Sequence, residues 1–408
     1  MKYRTLTLSI HKALKTFPAL VVTGPRQSGK TTLLKNLLKD THSYVSMEDP
    51  DTRSRCKDDP RGFLDQYQPP IIIDEIQYVP ELLSYIKSRI DDVRKPGQWV
   101  LTGSQNFILM QSVSESLAGR AAILSLLPFS FAERIGKGEE ARDASSLLGK
   151  AFESRKLASA QVNLADLILR GSYPEIATHA AIDKNLWCGS YISTYLERDI
   201  RNLSQVGDLG QFERFLRLCA IRTGQILNIS ELSREVGVSV PTAKRWLSLL
   251  EAGYQIFLLQ PFYKNIGKRL IKSPKLYFSD TALACYLLGL RDPSALLGSP
   301  HFAHLFETFI IIDFWKRFLH SGEMPSLYYF KTRDGFEVDL AIEMNSKLYL
   351  FEIKSGATML PKHAASLIKA RNDLGSLVEG TALISGAKEK FKIGSDVHHY
   401  PWSDLLGA

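Results

Sequence analysis

The residues with the clearest chemistry lie near the start of the chain, where two glycines enclose four residues and precede a lysine and a threonine. Residues 24–31 read GPRQSGKT and match the G-x-x-x-x-G-K-[ST] phosphate loop in full. A strand pattern over 19–23 leads into this loop, and a leucine-rich helical pattern follows it. Backbone N–H groups at a helix N-terminus bind phosphate, so the sequence predicts an ATP site. The residues predicted to contact the nucleotide are Gly24, Pro25, Arg26, Gln27, Ser28, Gly29, Lys30, Thr31 and Thr32.

A second pattern places two acids where they can act on a bound phosphate. Three consecutive isoleucines, 71–73, indicate a strand buried on both faces, and Asp74 and Glu75 follow at its carboxyl end. We expect Lys30 to reach the β- and γ-phosphates, while the Thr31 hydroxyl and Asp74 hold Mg²⁺. Glu75 is then the general base that polarises the attacking water. The alternative is a strand end with solvated acids.

A polar sequence follows the next strand pattern. The stretch 98–102 is followed by Gly-Ser-Gln-Asn, and a polar side chain at this edge of a parallel sheet would lie beside the γ-phosphate. We predict that Ser104 senses the loss of that phosphate and is catalytic, with Gln105 as the second choice. The alternative is a plain turn.

An arginine precedes the fifth strand pattern, in the sequence LAGR at 117–120. Here the chain resembles the AAA+ ATPases, in which the residue at this point is often an arginine finger that acts on a neighbouring subunit's nucleotide. The resemblance implies a catalytic Arg120 and a homo-oligomer, either a dimer or a ring such as a hexamer. A surface arginine favoured by the helix dipole is the alternative. The sequence GSYP at 171–174 resembles the Gly-x-Pro lid element of related ATPases.

The middle of the chain reads as two helices joined by a glycine turn, with Ser230 and Ser239 predicted to cap them. A strand pattern over 255–259 follows, which is typical of a winged helix-turn-helix. Residues 206–275 carry eleven Lys or Arg against five Asp or Glu. This surplus favours a nucleic-acid partner, DNA rather than RNA, and a packing or partner-protein module is the alternative. The side chains expected to face the nucleic acid are Thr242, Lys244 and Arg245.

Near the C-terminus, two stretches of alternating polar and apolar residues flank the dipeptide Asn-Ser at 345–346, which suits a hairpin turn. A turn centred there places Asp339 opposite Glu352 and Glu337 opposite Lys354, all on one face. This arrangement predicts a Mg²⁺ and water site for phosphodiester hydrolysis, with Asp339 and Glu352 as ligands and Lys354 steadying the hydroxide. A cross-strand cluster of ion pairs is the alternative.

The same hairpin resembles the PD-(D/E)XK nuclease superfamily. Glu307 lies on the helical stretch before the hairpin and matches the helical acid of that superfamily, so the resemblance implies a third metal ligand. Mg²⁺ and Mn²⁺ both accept such oxygen ligands. The chain departs from the superfamily pattern at 337–339, where Glu-Val-Asp replaces Pro-Asp.

Nearly the whole chain resembles a large group of prokaryotic ATPases with an AAA+ core, a winged helix and a nuclease-like C-terminal domain of unknown function. The stretches that carry the resemblance are LAGR at 117–120, PFSFAE at 128–133, YLERDI at 195–200 and KSPKLYFSD at 272–280. It implies an α/β fold: an AAA+ P-loop NTPase core with a helical lid, a winged helix module and an α/β PD-(D/E)XK nuclease-like domain. The predicted ranges are 1–135 for the ATPase core, 136–205 for the lid and linker, 206–265 for the winged helix, 266–300 for a basic connector and 301–408 for the nuclease-like domain.

Bulk composition narrows the class of protein. The 408 residues are enough for two or three domains. No apolar run approaches the roughly 18 residues that a membrane span needs. The four cysteines form no C-x-x-C pair and are predicted to be buried or incidental thiols in a reducing compartment. We therefore expect a cytoplasmic protein without a membrane partner.

The function predicted from these patterns is ATP hydrolysis with Mg²⁺, coupled to nucleic-acid binding and to metal-dependent nuclease activity. The alternative is a nucleotide-dependent switch or scaffold that binds partner proteins and carries an inactive nuclease-like domain.

Overall fold

The computed structural model describes residues 2–104, 113, 116–140, 148, 162–195, 209–263, 272–332, 335–394 and 396–407. Within these ranges the strands form two sheets, one of five strands and one of nine. None of the helices in the described ranges combines the length and the apolar character needed to cross a membrane.

The first sheet is parallel and confirms the strand patterns of the N-terminal segment. Its spatial order is β2-β3-β4-β1-β5, and every residue of β1, β3 and β4 is buried. Each parallel neighbour requires a crossover connection, which explains the alternation of strands and helices along the sequence. The strands are β1 (Ala19–Thr23), β2 (Ser43–Ser46), β3 (Ile71–Asp74), β4 (Trp99–Thr102) and β5 (Ala121–Ser125).

Helices cover this sheet on both faces. One apolar layer joins Ile10 and Leu34 to Leu20 of the sheet, and a second joins Phe63 and Ile86 to the opposite face. The carboxyl edge of the sheet stays open between the two layers, where the predicted site residues lie. The helices are α1 (Thr7–Thr16), α2 (Lys30–Leu38), α3 (Pro50–Asp58), α4 (Pro60–Gln66) and α5 (Leu82–Asp92).

The segment after β5 is helical in its described part, with the predicted interruption at 171–174. Gly171 ends one helix with a φ of 62°, and Pro174 begins the next. The buried Tyr173 between them joins the largest apolar core of the chain. The helices are α6 (Phe131–Arg134), α7 (Leu164–Arg170), α8 (Pro174–Thr178) and α9 (Lys184–Tyr195).

The middle segment contains the two predicted helices and the glycine turn between them. Ser239 caps the second helix by accepting a hydrogen bond from the Thr242 backbone. The cap predicted at Ser230 is wrong: the first helix begins two residues earlier than expected, and Asn228 caps it. The elements are α10 (Leu209–Ile221), β6 (Gln225–Ile226), α11 (Ile229–Val236), α12 (Val240–Ala252), β7 (Ile256–Pro261) and β8 (Lys275–Phe278).

The stretch expected to be a basic connector, 266–300, carries buried structure in its described part. Strand β8 is fully buried, and six of the seven residues of the next helix are buried. Two of the five basic residues of this stretch, Lys268 and Arg269, fall outside the described residues. The helices of this stretch are α13 (Thr281–Leu287) and α14 (Pro293–Leu297).

The C-terminal strands continue the sheet of the middle segment, which the sequence did not predict. The nine-stranded order is β13-β14-β12-β11-β10-β9-β7-β8-β6, and the junction is a parallel pairing of β7 with β9. The elements are α15 (Phe302–Ser321), β9 (Leu327–Lys331), β10 (Glu337–Met344), β11 (Lys347–Lys354), α16 (Ala365–Leu374), β12 (Val378–Ser385), β13 (Phe391–Ile393), β14 (Val397–Pro401) and α17 (Trp402–Leu406).

Helix α15 also packs against the N-terminal segment. The Asp313 carboxylate accepts a hydrogen bond of 2.5 Å from the Phe131 backbone. The buried Lys316 ammonium donates to the Ser172 hydroxyl at 2.7 Å. Burial lowers the pKa of Lys316 to about 8. This helix therefore contacts the five-stranded sheet, the helical segment that follows β5 and the nine-stranded sheet.

Candidate functional site

The phosphate loop has the backbone geometry that its sequence predicts. Gly24 has a φ of 140°, and a Cβ at this position would lie 2.1 Å from the Leu126 carbonyl oxygen. Gly29, at the start of α2, has a φ of 94°. Only glycine adopts these conformations without strain. The Lys30 ammonium donates to the carbonyl oxygens of Gly24 and Pro25 at 2.9 Å each, so it lies inside the loop.

A buried arginine near the N-terminus supports this loop, although no sequence motif marks it. The Arg4 guanidinium donates to the Ser28 carbonyl oxygen at 2.8 Å and to Glu133 Oε1 at 3.1 Å. His320 Nδ1 lies 3.3 Å from the other oxygen of Glu133. Glu133 is fully buried; burial alone would raise its pKa, but Arg4 and His320 hold that pKa well below its ordinary value.

The acid at the end of β3 lies beside the loop threonine, as predicted. The Thr31 hydroxyl lies 3.0 Å from both carboxylate oxygens of Asp74. Hydroxyls of Tyr44 and Thr102 donate to the same carboxylate, the first at 2.9 Å. The hydrogen bond to Asp74 contributes, after burial, to raising the pKa of Tyr44 well above its ordinary value. A hydroxyl and a carboxylate held together by neutral donors form an oxygen-ligand set that fits Mg²⁺.

Glu75 and Ser104, predicted as base and phosphate sensor, are in direct contact. The Ser104 hydroxyl donates to Glu75 Oε2 at 3.1 Å, and the Gln77 side chain donates to the same carboxylate. The Thr102 hydroxyl accepts the Glu75 backbone N–H at 3.1 Å. Glu75 has a φ of 55°, an uncommon conformation for a residue with a side chain and one found at functional sites. Gln77 was not identified from the sequence.

A cavity of about 430 Å³, large enough for a nucleotide, lies beside the phosphate loop and Glu75. Tyr191 and Thr194 of α9 reach it from the lid side, and Glu48 reaches it from the segment after β2. The sequence offered no motif for these three. The residues that line the cavity are Arg26, Gln27, Gly29, Lys30, Thr31, Thr32, Glu48, Glu75, Tyr191 and Thr194.

Arg120 is paired within its own chain. Its guanidinium donates to both carboxylate oxygens of Asp91, at 2.6 and 2.9 Å. A bidentate pair of this kind holds an arginine in one orientation. Gln105, the second choice for the phosphate sensor, lies outside the described residues.

The C-terminal hairpin has the predicted register. Leu340 pairs with Phe351, and Asn345 and Ser346 both adopt positive φ values, as a two-residue hairpin turn requires. We call the carboxylates of Glu307, Glu337, Asp339 and Glu352 the acid cluster. The Lys354 ammonium lies 2.5 Å from Glu352 Oε1 and 3.9 Å from Asp339 Oδ2.

The acid cluster contains a second lysine, which the sequence analysis did not place there. Lys275 Nζ lies 3.1 Å from Glu307 Oε1, 2.6 Å from Glu337 Oε1 and 3.7 Å from Asp339 Oδ1. Burial alone would lower the pKa of Lys275, but these carboxylates raise it above its ordinary value. Burial, helped by Asp339, raises the pKa of Glu307 to about 7 and that of Glu352 to about 8.

The predicted metal ligands Glu307, Asp339 and Glu352 do not form a metal site in this arrangement. Across the described ranges, no three Asp, Glu, His or Cys side chains are arranged to hold a metal ion. Asp339 Oδ2 instead accepts the Ile353 backbone N–H at 2.8 Å. One cross-strand ion pair of the hairpin, the kind of contact named as the alternative, is present between Asp339 and Lys354, and Lys275 of β8 adds a second ammonium among the carboxylates. The four cysteines are buried thiols, as predicted.

Comparisons with known proteins match three segments of the chain to protein families. Residues 16–135 match a family described as an AAA domain. Residues 161–294 and 302–405 match two domains of unknown function, DUF8612 and DUF4143.

Among solved structures, the Walker-type ATPase PABY2304 of Pyrococcus abyssi is 14% identical, with a TM-score of 0.43 over 69% of this chain and 94% of that chain. The RuvB Holliday junction branch migration motor of Thermotoga maritima is 18% identical, with a TM-score of 0.28 over 62% of this chain and 88% of that chain. Both scores are below 0.5, so neither carries an argument about this chain.

Two relatives match nearly the whole of this chain and show the family to which it belongs. The uncharacterised proteins Mb2031c of Mycobacterium bovis and Rv2008c of Mycobacterium tuberculosis are each 31% identical over 99% of this chain and 84% of their own length. The chain therefore belongs to the same protein family as these two relatives, and its first domain is a P-loop ATPase domain of the AAA type.

Proposed function

We propose that the chain hydrolyses ATP with Mg²⁺ and couples the nucleotide state to nucleic-acid binding by its middle segment. The observation that carries the hydrolysis is the contact of Glu75 with Ser104, because Glu75 lines the same cavity as Lys30 and Thr31. Three separate segments of the chain thus bring the base, the sensor and the Lys-Thr pair of the phosphate loop close together.

Each residue has a role that follows from its chemistry. Lys30 neutralises the phosphates, and Mg²⁺, when bound by Thr31 and Asp74, supplies further charge stabilisation to the phosphoryl group. Glu75 accepts a proton from the attacking water, and Ser104 with Gln77 orients its carboxylate. Ser104 can exchange this hydrogen bond for one to the γ-phosphate, which makes it suited to sensing hydrolysis.

A tyrosine links the phosphate loop to the middle segment and supports the coupling. Tyr254 lies between α12 and β7, and its hydroxyl is 2.9 Å from the hydroxyls of both Thr23 and Ser125. Thr23 is the residue immediately before the loop glycine Gly24. A shift of the loop on hydrolysis would therefore act directly on the residue that follows α12.

The order of elements in the middle segment supports the winged helix assignment. Helix α10, strand β6, helices α11 and α12 and strands β7 and β8 follow in the sequence expected for that fold, and β8 lies between β6 and β7. Lys244 and Arg245, on the second helix of the pair, are exposed. Two exposed cations on such a helix suit contacts with nucleic-acid phosphates.

The test measures phosphate release by the purified chain with Mg²⁺ and ATP, in the presence of single- or double-stranded DNA or RNA. We expect one nucleic acid to stimulate turnover and its affinity to fall with salt, because phosphate contacts release counterions. The double variant Lys244→Ala/Arg245→Ala should lose the stimulation while keeping basal turnover. The control is Lys12→Ala/Lys15→Ala, which removes the same charge from exposed positions of α1. No binding to any nucleic acid at low salt would reject the coupling.

Oligomerisation through Arg120 is part of the proposal. The arginine must leave Asp91 in order to reach a neighbouring subunit's nucleotide. Replacing Arg120 by alanine should lower turnover only under conditions in which the chain self-associates. An equal loss in the monomer would assign Arg120 a role within its own chain.

One observation favours a second candidate, a nucleotide-dependent switch that binds a partner protein. The carboxylates expected to serve nuclease chemistry are paired with Lys275 and Lys354. ATP turnover that is indifferent to every nucleic acid, with no strand cleavage, would support this candidate.

A further inference from the structure

The acid cluster already contains a cation, and that cation belongs to the chain. Lys275 is 3% exposed, and its ammonium lies within hydrogen-bond distance of Glu337 and Glu307, at 2.6 and 3.1 Å, with Asp339 at 3.7 Å. These residues come from β8, α15 and β10, so the contact joins three elements that are distant in the sequence. Two hydrogen-bond acceptors and a third nearby carboxylate compensate the burial of this ammonium.

The backbone of Lys275 is fixed on both sides. It pairs with Leu259 of β7 on one edge and with Ile226 of β6 on the other. Two residues further along β8, Tyr277 donates to the same Glu307 oxygen at 2.6 Å, because alternate residues of a strand share a face. The lysine is therefore held in the cluster by two strand pairings and by its neighbour's contact with the same acid.

Several of the oxygens that would bind a metal already have partners. Glu307 Oε1 accepts from Lys275 and Tyr277, Asp339 Oδ2 accepts the Ile353 backbone N–H, and Glu352 Oε1 contacts Lys354. Glu352 Oε2 is buried and makes no hydrogen bond with any described residue. Mg²⁺ requires near-octahedral oxygen coordination, and carboxylates that surround an ammonium group do not supply it.

We propose that Lys275 is the resident cation of the acid cluster, where it takes the place of a divalent ion. It keeps metal out and leaves the chain without metal-dependent phosphodiester cleavage at this site. The cluster instead ties β8 of the middle segment to α15 and to the C-terminal hairpin. This inference is independent of ATP hydrolysis, since it concerns side chains that do not line the nucleotide cavity.

The test is a Mn²⁺ titration of the full chain followed by electron paramagnetic resonance. All variants carry Asp74→Asn, so that the nucleotide site does not contribute. We expect no Asp339-dependent Mn²⁺ binding with Lys275 present. Lys275→Met should create one Mn²⁺ site, about tenfold or more tighter than any wild-type binding, and Lys275→Met/Asp339→Asn should abolish it. Lys272→Met is the matched control, since this lysine is exposed three residues away.

Two outcomes would overturn the proposal. The first is stoichiometric Mn²⁺ binding in the presence of Lys275 that disappears with Asp339→Asn, or DNA cleavage that Asp339→Asn abolishes. The second is a folded Lys275→Met chain that binds no Mn²⁺. If Lys275→Met does not fold, Lys275→Gln replaces it, because the amide keeps a donor but removes the charge. A rise of its melting temperature with Mn²⁺, absent in Lys272→Met, gives the supporting result by a second readout.

Discussion

The nucleotide site and the acid cluster are both built from carboxylates and lysine, yet their electrostatics differ. At the nucleotide site, Asp74 is held by hydroxyl groups, and Glu75 by a hydroxyl and an amide. In the acid cluster, the carboxylates are held by the ammonium groups of Lys275 and Lys354. Neutral donors orient an acid without cancelling its charge, whereas ammonium groups cancel it. The first arrangement is therefore ready for a cation, and the second already has one.

The largest expected effect is on ATP turnover, and it distinguishes the nucleotide site from the acid cluster. Glu75→Gln should lower the kcat of ATP hydrolysis by about 10²–10⁴-fold, because the amide cannot accept a proton from water. ATP affinity should remain within a few-fold of wild type, measured by calorimetry. Glu352→Gln is the matched change in the acid cluster, and it should leave turnover unaltered. A large loss in both variants would show that the two sites act together.

The next effect concerns stability. Lys275→Met should lower the free energy of unfolding by about 3–5 kcal/mol, because it leaves buried carboxylates without their ammonium. The exposed Lys272→Met should change it by less than about 0.5 kcal/mol. Urea unfolding at neutral pH measures both. If the two variants lose the same small amount, Lys275 is not a structural cation and the contrast between the sites fails.

ATP with Mg²⁺ should stabilise the folded chain by binding at the nucleotide site and not at the acid cluster. Mg²⁺ with ATP at about one hundred times its Kd should raise the free energy of unfolding by about 2.7 kcal/mol. Asp74→Asn should reduce this gain, and Asp339→Asn should leave it intact. Thermal unfolding with and without the ligand gives the comparison, and a gain that depends on Asp339 would place ligand binding in the acid cluster.

The smallest effect tests the link between the nucleotide site and the rest of the chain. Tyr254→Phe removes one hydroxyl that contacts Thr23 and Ser125, and should cost about 1 kcal/mol of stability. Basal turnover should persist, and its stimulation by nucleic acid should decline. Tyr67→Phe is the control, a partly exposed tyrosine that packs on Phe63. Undiminished stimulation in Tyr254→Phe would remove this residue from the coupling.

Local patterns predicted the parts of the fold in which neighbours in sequence are neighbours in space. The glycine spacing of the phosphate loop requires positive φ at Gly24 and Gly29, and the sequence shows that spacing directly. The hairpin register follows from the turn at 345–346, because period-two alternation leaves no freedom once the turn is placed.

The contacts that the sequence did not reveal join residues far apart in the chain. Arg4 supports Ser28 and Glu133, and Lys275 enters a cluster whose other members lie beyond residue 300. A lone arginine or lysine carries no periodicity that would mark it as buried. The pairing of β7 with β9 was missed for a related reason: strand partners separated by about 70 residues leave no trace in either strand's own pattern.

The continuous nine-stranded sheet has a practical consequence for dividing this protein. A cut near residue 300 would follow the family boundaries, but it would separate β9 from β7 and expose the backbone groups through which these two strands pair. Each fragment would have an exposed strand edge that can pair with another chain. The carboxylates of the C-terminal fragment would also lack their partner Lys275. The middle and C-terminal segments match two separate families by sequence, but strand pairing joins them in one sheet. They should therefore be expressed together, and we expect them to move together.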